Sequence, residues 1–569
     1  MIQNIFAEAL LAAIPDLPED QIRAGIEIPK EKTMGDFAFP CFRLAKAFRK
    51  APAMIAPEIA EKLKDNPLFE KVEAVGPYVN VFIDKEHWAQ SVIRDFMEAD
   101  QYGSGTEGIR EDGTRKNIVL DYSSINVAKP FHIGHLRTTV IGNSIKKLHE
   151  FLGYNTISVN HLGDWGTQFG KMAVAYQKWG DPETVDARGV RGLMDLYVRF
   201  HEEAKKDPSL DDEARAAFTR MENNDEEILS LWQRFVDISL KEVSRVYDLL
   251  DVQFDSYNGE SFYRDKMDAP IALLREKGLL KESEGAQVVD LSEFNMPPCL
   301  VLKSDGSSIY ATRDIAAAIY RKNTYDFAKC LYVTATEQIL HFSQVFKVIE
   351  LMGYDWYADL VHIPYGYVSL EEGKLSTREG NVIFLEDLLN EAIAKTRDIM
   401  NEKNPDLENL EEVAQQVGVG AVVFHDLFNN RIKDVTFSWD NVLNFDGETG
   451  PYVQYTFARC SSVLRKAGKL EKKVPDASKL TDEYAQEIIK LIEDFPNRVR
   501  EAAKKYEPYI ITRYTVAVAT AYNKFYHENS ILNAEDAETR FARLYLTKMV
   551  AYILKTGLSL IGVKAPERM

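Results

Sequence analysis

The sequence predicts a multidomain α/β protein in which a unit with a parallel sheet lies between an N-terminal α+β unit and a C-terminal all-α unit. The chain has 569 residues, enough for about three domains at ~100–200 residues each. Short apolar runs alternate with helix-periodic stretches between residues 113 and 440, as in βαβ units. From Leu385 onward almost only helical periodicity is present.

Residues 1–112 form the first predicted domain. Residues 1–17 have the pattern of an amphipathic helix and lack the basic start of a signal peptide. A loop at 32–37 and helical stretches through Lys64 follow. Residues 76–83 alternate as in a strand. The polar, glycine-bearing residues 103–115 are typical of a linker.

Residues 113–440 form the second predicted domain. A strand at 117–122, a helix at 133–152 and a strand at 156–160 make a βαβ unit, which implies parallel strands. A charged, helical insertion spans about 181–300. The strand pattern returns at 330–334 and 360–363, and residues 441–569 form the third, helical domain.

The most informative motif is the tetrad His132-Ile133-Gly134-His135, between the first strand of the βαβ unit and its helix. A helix start has free backbone N–H groups and a dipole that favour an anion. Glycine permits close approach of a ligand, and imidazoles can donate to phosphate oxygens. Taken alone, the tetrad fits a helix cap or packed rings equally well.

A second motif at residues 373–381 supports a nucleotide phosphate site. Glycines at both ends make it a mobile loop, in which Lys374, Ser376 and Arg378 could reach a polyphosphate. Taken alone, it is more simply an exposed basic loop. The pair of motifs predicts nucleotide binding.

Composition places the chain among ordinary globular proteins, with 45% hydrophobic and 28% charged residues. No apolar run reaches the ~18 residues of a membrane span, so we expect no membrane association. Cys41, Cys299, Cys330 and Cys460 are scattered without a CxxC pair. This argues against a zinc or disulfide framework and favours the reducing cytoplasm.

The net charge of −19 argues against a simple basic nucleic-acid binder. Residues 451–569, however, contain 20 Lys and Arg against 14 Asp and Glu, so this module could hold a polyanion. A solvated helical surface is the simpler interpretation of charge alone. Candidate polyanion contacts are the cations Arg459, Arg465, Lys466, Arg498, Arg500, Lys504, Lys505 and Arg513, interleaved with the aromatics Tyr452, Tyr455, Phe457, Tyr506, Tyr509, Tyr514, Tyr522, Phe525 and Tyr526. Most of these aromatics have core-like helical spacing.

Both motifs together resemble those of the class I aminoacyl-tRNA synthetases, and the flanking sequences resemble arginyl-tRNA synthetases. The matching segments extend over the whole chain, at residues 121–132, 161–170, 310–314, 445–455 and 562–569. The resemblance implies a Rossmann-type catalytic domain, an N-terminal domain that grips the outer corner of tRNA, and an anticodon-binding bundle.

The resemblance also implies the reaction. L-arginine and ATP would give arginyl-adenylate and pyrophosphate, and arginine would pass to the 3′ end of tRNA(Arg), with activation dependent on bound tRNA. Mg²⁺ is expected with ATP as substrate, without a tightly bound cofactor or structural metal. A monomer is expected.

The resemblance assigns site residues by position. Catalytic residues would be Lys129, His132, His135 and Lys374, and ATP would contact Phe131, His132, Gly134, His135, Lys374, Ser376 and Arg378. The loop has Thr377 where the family usually has a second lysine, and Lys129 is the expected substitute. Glu379, where a basic residue is common, has no physical explanation.

The resemblance places arginine near Asp121, Ser123, Asn126, His161, Tyr310, Asp314 and Gln338. A carboxylate accepts two parallel N–H bonds from guanidinium; Asn126 could instead hold the α-amino group. Without the resemblance, Asp121 is a strand end and Asp314 a helix cap. Alternatives are another nucleotidyl transferase with this tetrad and a non-catalytic RNA-binding paralogue; the intact His132, His135 and Lys374 disfavour the latter.

Overall fold

The N-terminal unit packs helices on a three-stranded antiparallel sheet of order β1-β3-β2. The computed structural model describes residues 2–307, 309–370 and 383–569. The elements of this unit are α1 (Ile2–Ala13), α2 (Glu19–Arg23), β1 (Phe37–Pro40), α3 (Ala45–Phe48), α4 (Pro52–Leu63), β2 (Phe69–Val75) and β3 (Tyr78–Ile83). The sequence predicted β3 but neither neighbour, because β1 is short and the edge strand β2 carries charged side chains in place of a clean alternation.

Helix α5 (Lys85–Glu98) connects this unit to the rest of the molecule, and its buried side chains Ala89, Val92 and Ile93 belong to the core shared with the C-terminal helices. The predicted linker at 103–115 packs against its surroundings. Tyr102 before it donates from its hydroxyl to the carbonyl of Ile492 at 3.0 Å.

The second unit begins with the predicted βαβ arrangement. Its first elements are β4 (Asn117–Asp121), α6 (Gly134–Phe151), β5 (Asn155–Val159) and α7 (Thr167–Trp179). Strand β4 is buried on both faces: Ile118 and Leu120 enter the core around α6, whereas Val119 faces the opposite core. A strand covered on both faces reads as a continuous apolar run, which is why the sequence revealed it.

The insertion is helical in its first part and has a small antiparallel sheet in its second. Its elements are α8 (Pro182–Arg188), α9 (Val190–Lys206), α10 (Ser209–Glu222), α11 (Glu226–Leu250), α12 (Asp268–Glu276), β6 (Leu280–Ser283), β7 (Ala286–Val289) and β8 (Cys299–Leu302). The sheet β6-β7-β8 was not predicted, since its four-residue strands are too short for a clear period.

The parallel sheet is then completed by α13 (Tyr310–Tyr325), β9 (Phe327–Ala335), α14 (Ile339–Leu351) and β10 (Leu360–Tyr365). The strand order is β10-β9-β4-β5, with every neighbouring pair parallel. Strand β5 pairs with one edge of β4 and β9 with the other, so the chain changes direction at β4. The carboxyl end of β4 therefore lies at a topological switch point, where open α/β sheets bind ligands.

The chain continues through β11 (Val368–Leu370), α15 (Leu385–Lys403), α16 (Leu410–Leu427), β12 (Val435–Phe437) and α17 (Trp439–Val442). Strand β12, which pairs in parallel with β11, interrupts the region expected to be helical. The C-terminal bundle consists of α18 (Gly450–Ala467), α19 (Glu483–Lys505), α20 (Tyr509–Glu528) and α21 (Ala537–Leu560). Among the described helices, none combines the length and apolarity required to cross a membrane.

Candidate active site

The tetrad lies where the carboxyl end of β4 meets the start of α6. His132 pairs with Phe384 in an isolated antiparallel bridge, and Leu385 N–H donates to the carbonyl of Phe131 at 2.9 Å. Phe131 is buried, with its ring 5.2 Å from that of His135. The segment immediately after the second motif is therefore held against the tetrad.

The backbone N–H groups at the start of α6 are already engaged, contrary to the expectation of free donors. Gly134 N–H donates to His132 Nδ1 at 3.0 Å. The N–H groups of His135 and Leu136 donate to the carbonyls of His132 and Ile133 at 2.8 and 3.0 Å. A phosphate here would meet imidazole donors instead.

Both imidazoles are oriented for that task. His132 Nδ1 accepts from Gly134, and His135 Nδ1 accepts from the backbone N–H of His132 at 3.2 Å. In a neutral ring the proton is then on Nε2, which can donate outward. Burial lowers the pKa of His132, and burial with the nearby charges of His132 and Lys129 lowers the pKa of His135 to about 3. Both rings are therefore neutral donors at pH 7.

Lys129 is exposed, and its charge is felt at His135, so it lies near the tetrad. Lys374, Ser376 and Arg378 lie outside the described residues, and their contacts with ATP stay predictions. The ends of this region are fixed on one side by β11 and on the other by the bridge to His132.

Arg137, two residues after the tetrad, joins α6 to the backbone that precedes the second motif. It is fully buried and donates from Nη1 to the carbonyls of Gly366, Tyr367 and Lys433 at 3.2, 3.3 and 2.7 Å. Its Nε lies 3.5 Å from the buried carboxylate of Asp426. One guanidinium thus connects the tetrad helix, the segment before the second motif, and the residues that lead from α16 into β12.

Two of the predicted arginine-binding residues meet at a buried guanidinium of the protein itself. Arg321, on α13, forms an ion pair with Asp121, with 2.8 Å between Nη2 and Oδ2, and its Nη2 lies 3.3 Å from His161 Nδ1. Asp121 Oδ1 accepts from Ser124 Oγ at 2.8 Å. Asp121 therefore has partners on both oxygens before any substrate arrives.

Ser123 is buried, and its Oγ lies 2.8 Å from Thr139 Oγ1 and 2.7 Å from the hydroxyl of Tyr247. These contacts show that Ser123 helps to hold the turn after β4 in place. Whether it also contacts arginine stays a prediction.

The remaining predicted residues surround the carboxyl edge of the sheet. Asp314 is four-fifths buried, and His341 Nε2 lies 2.6 Å from its Oδ2. Tyr310, at the start of α13, is 65% exposed. Gln338 is exposed on the short turn after β9, and Asn126 is exposed beside Gly163, with which it forms a parallel bridge.

Two further buried acids, Glu260 and Asp164, lie near Asp314. Glu260 is buried and lies 3.2 Å from Arg313 Nη1, and burial raises the pKa of Glu260 to about 7 although Arg313 opposes the shift. Asp164 accepts from the backbone and hydroxyl of Ser261 at 2.9 and 2.6 Å. With Asp121 and Asp314 this brings four carboxyl groups beside two guanidinium groups. Burial also raises the pKa of Asp164, and Glu260 is partly protonated at pH 7. Asp314, whose pKa is lowered, is the carboxylate that suits a cationic ligand.

Sequence reasoning missed Glu260, Arg313, Arg321 and His341. The spacing of two of them could have indicated their place. Arg321 follows Asp314 by seven residues, so the two share a helix face, and His341 lies three residues after Gln338. Glu260 follows no recognisable pattern. Within the described parts of the chain, no cluster of three or more His, Cys, Asp or Glu side chains has the arrangement of a metal site.

The C-terminal bundle has two adjoining clefts of about 520 and 590 Å³, both lined by Tyr455, Arg459 and Met569. Arg459 Cζ lies 5.1 and 5.2 Å from the ring centroids of Tyr455 and Tyr526, which are 44% and 42% exposed. Most other candidate aromatics are buried, as their spacing suggested: Phe457, Tyr514, Tyr522 and Phe525.

Several of the candidate cations have carboxylate partners. Arg498 pairs with Asp494 and Glu501, and Arg500 pairs with Glu107. The clefts beside Tyr455 are therefore the better place for RNA bases and phosphates than the surface around residue 500.

Family models match three segments of the chain. Residues 104–439 match the catalytic domain of class I (R) tRNA synthetases, residues 453–569 match the DALR anticodon binding domain, and residues 1–83 match the arginyl tRNA synthetase N terminal domain.

Curated relatives match over the full length. The chain is 55% identical over 564 residues to the arginine–tRNA ligase of Alkaliphilus metalliredigens, with 99% of each chain covered. It is 54% identical over 556 residues to that of Halothermothrix orenii, covering 98% of this chain and 97% of the relative. Among solved structures, the arginyl-tRNA synthetase of Thermus thermophilus superposes with a TM-score of 0.80 at 24% identity, and the match covers all of both chains. That of Plasmodium falciparum superposes with a TM-score of 0.79 at 25% identity, and the match covers all of this chain and 98% of the other.

Proposed function

The chain belongs to the arginyl-tRNA synthetase family of class I synthetases, and we infer that it is an arginine–tRNA ligase. This inference rests on the 55% identity to a curated arginine–tRNA ligase over 99% of both chains. A carboxylate oxygen of L-arginine attacks the α-phosphorus of ATP, and pyrophosphate leaves with the electrons of the broken P–O bond. A ribose hydroxyl at the 3′ end of tRNA(Arg) then attacks the arginyl carbonyl, and AMP leaves.

The activation step needs charge stabilisation and positioning more than covalent catalysis. His132 and His135 donate from Nε2 to phosphate oxygens as negative charge builds up around the α-phosphorus. In the neutral rings Nδ1 accepts a backbone hydrogen bond, so the proton is on Nε2 and the donor keeps one direction at pH 7. Phe131 and Gly134 shape the same surface for ATP.

Cations complete the ATP site. We propose that Lys129 beside the tetrad and Lys374 of the second motif together neutralise the triphosphate, with Ser376 and Arg378 as further donors. Mg²⁺ enters with ATP as substrate, bound mainly through phosphate oxygens.

The acidic pocket holds L-arginine. The guanidinium of the substrate lies between Asp314, Tyr310 and the Asp121–Arg321 pair, with His161 beside them. Gln338 completes the guanidinium site, and Asn126 holds the α-amino group. The ionised carboxylate of Asp314 supports a cationic side chain, and a planar fork of donors suits it better than an ammonium group would.

The anticodon bundle reads the RNA. Tyr455 and Tyr526, held by Arg459, offer stacking surfaces for splayed bases, and Arg465 and Lys466 line the same cleft for phosphates. The N-terminal unit grips the outer corner of the tRNA. We propose a monomeric enzyme of the cytoplasm whose activation step requires bound tRNA.

The test is arginine-dependent ATP–pyrophosphate exchange with and without tRNA(Arg), with L-lysine as control amino acid. We expect exchange with arginine in the presence of tRNA and none with lysine. Exchange without tRNA would retain the ligase and reject tRNA-dependent activation. Folded protein without exchange in any tube, yet able to bind tRNA, would favour the RNA-binding paralogue.

A further inference from the structure

Two side chains from neighbouring helices meet at the edge of the arginine pocket. Asp314 is the fifth residue of α13 and His341 the third of α14. His341 Nε2 lies 2.6 Å from Asp314 Oδ2, and the two side chains are 23% and 21% exposed. An ionised carboxylate can only accept, so Nε2 carries the hydrogen. The distance is at the short end for a charge-assisted hydrogen bond.

Asp314 needs help to stay ionised at this position. Burial acts to raise its pKa, but the hydrogen bond from His341 and the charges of His341, His161 and Arg321 outweigh burial and lower it. Glu260 on residues 260–266 and Cys299 on β8 also lie within electrostatic reach of Asp314. Among the described residues, His341 is the hydrogen-bond partner found for this carboxylate.

We propose that His341 is a positioning residue for arginine recognition: it fixes Oδ2 of Asp314 by a hydrogen bond and leaves Oδ1 for the substrate guanidinium. This inference rests on the placement of the arginine pocket in the proposed function. His341 touches the carboxylate and not the reacting atoms, so its effect falls on arginine binding.

Removing the imidazole donor should have two measurable consequences. The Michaelis constant for arginine should rise about 10- to 100-fold while kcat changes little. An unfixed Asp314 loses a well-placed bond to the substrate guanidinium, and one hydrogen bond to a charged group is typically worth this factor. The defect should also grow as the pH falls from 8 to 6, because burial then raises the pKa of Asp314 and the protonated carboxyl no longer attracts a guanidinium. A merely structural role of His341 would not produce this pH dependence.

The experiment measures ATP–pyrophosphate exchange with L-arginine at saturating ATP and tRNA(Arg), between pH 6 and 8. His341→Leu and His341→Asn both remove the donor near Oδ2, so the shorter polar variant serves if the apolar one does not fold. His341→Gln places an amide N–H near the former Nε2 and should restore most of the affinity. Ser343→Ala, an exposed change on the same helix, is the matched control, and Asp314→Asn calibrates the full loss.

The outcomes separate the inference from the proposed function. A raised KM for arginine that grows at low pH in His341→Leu or His341→Asn, with rescue in His341→Gln, supports the inference. Wild-type KM and pH profile in both His341→Leu and His341→Asn, beside a large defect in Asp314→Asn, overturns it. An unchanged KM in Asp314→Asn would instead reject the arginine pocket itself.

Discussion

Replacing Gly134 by alanine should separate catalysis from stability. A Cβ atom at Gly134 would lie 2.7 Å from Cε1 and 2.9 Å from Nδ1 of the His132 ring. The ring is the free end of a side chain, so it can rotate away at little cost to folding, and alanine favours a helix by up to about 1 kcal/mol over glycine. Rotation of the ring, however, breaks the hydrogen bond from Gly134 N–H to Nδ1 and turns Nε2 away from the proposed phosphate position. We expect kcat for activation to fall about 10²- to 10³-fold, as when one oxyanion donor is lost.

Gly142, the next glycine of α6, is a control in which alanine should affect stability and not catalysis. A Cβ at Gly142 would lie 2.3–2.6 Å from the side chain of Tyr122, which is fully buried and cannot move aside. Gly142→Ala should therefore destabilise the fold by about 1–3 kcal/mol and leave kcat of the folded enzyme near normal. Exchange kinetics and urea unfolding followed by circular dichroism measure both effects. A Gly134→Ala enzyme with wild-type kcat would refute the assignment of His132 as an oriented donor.

Other predictions concern the cations, the buried histidine and the RNA cleft. Lys129→Ala should lower kcat of exchange at least 10-fold without changing the unfolding midpoint; a near-normal rate would exclude it as the replacement for the missing loop lysine. Lowering the pH from 7 to 5 should destabilise the wild type through His135, since the unfolded imidazole, with a pKa near 6.5, takes up a proton that the folded one, with a pKa of about 3, refuses. His135→Asn should reduce this acid sensitivity by up to ~2 kcal/mol in urea titrations at both pH values. Tyr455→Ala and Tyr526→Ala should each raise KM for tRNA(Arg) about 10-fold in aminoacylation and leave KM for ATP unchanged, and equal losses for both substrates would contradict a stacking role.

Local patterns were enough to predict the centre of the fold. Strand β4 is a fully buried apolar run that ends in Asp121, and α6 starts at the glycine of the tetrad. Short elements whose pairing is non-local escaped prediction. Strand β12 pairs with β11, more than sixty residues earlier in the chain, and its three residues are too few to show a period.

The same contrast holds for the site. Asp121 and Asp314 could be placed in an arginine pocket because their motifs resemble a family. Their actual partners, Arg321 and His341, depend on how α13 and α14 pack over the sheet. The expectation of free backbone donors at the start of α6 was wrong because the side chain of His132 turns back and takes the N–H of Gly134.

Helix α6 packs against both the catalytic sheet and the C-terminal bundle, and this limits where the chain can be truncated. Its 18 residues span ~27 Å; one end carries the tetrad, and farther along it Ser144 donates to the carbonyl of Leu560 at 2.9 Å. A continuous apolar core runs from Leu120 of the sheet through Leu148 of this helix to Ile553 of the bundle. The catalytic sheet and the anticodon bundle therefore share one cooperative unfolding unit, and a catalytic fragment ending near residue 440 would expose the apolar face of α6 to water.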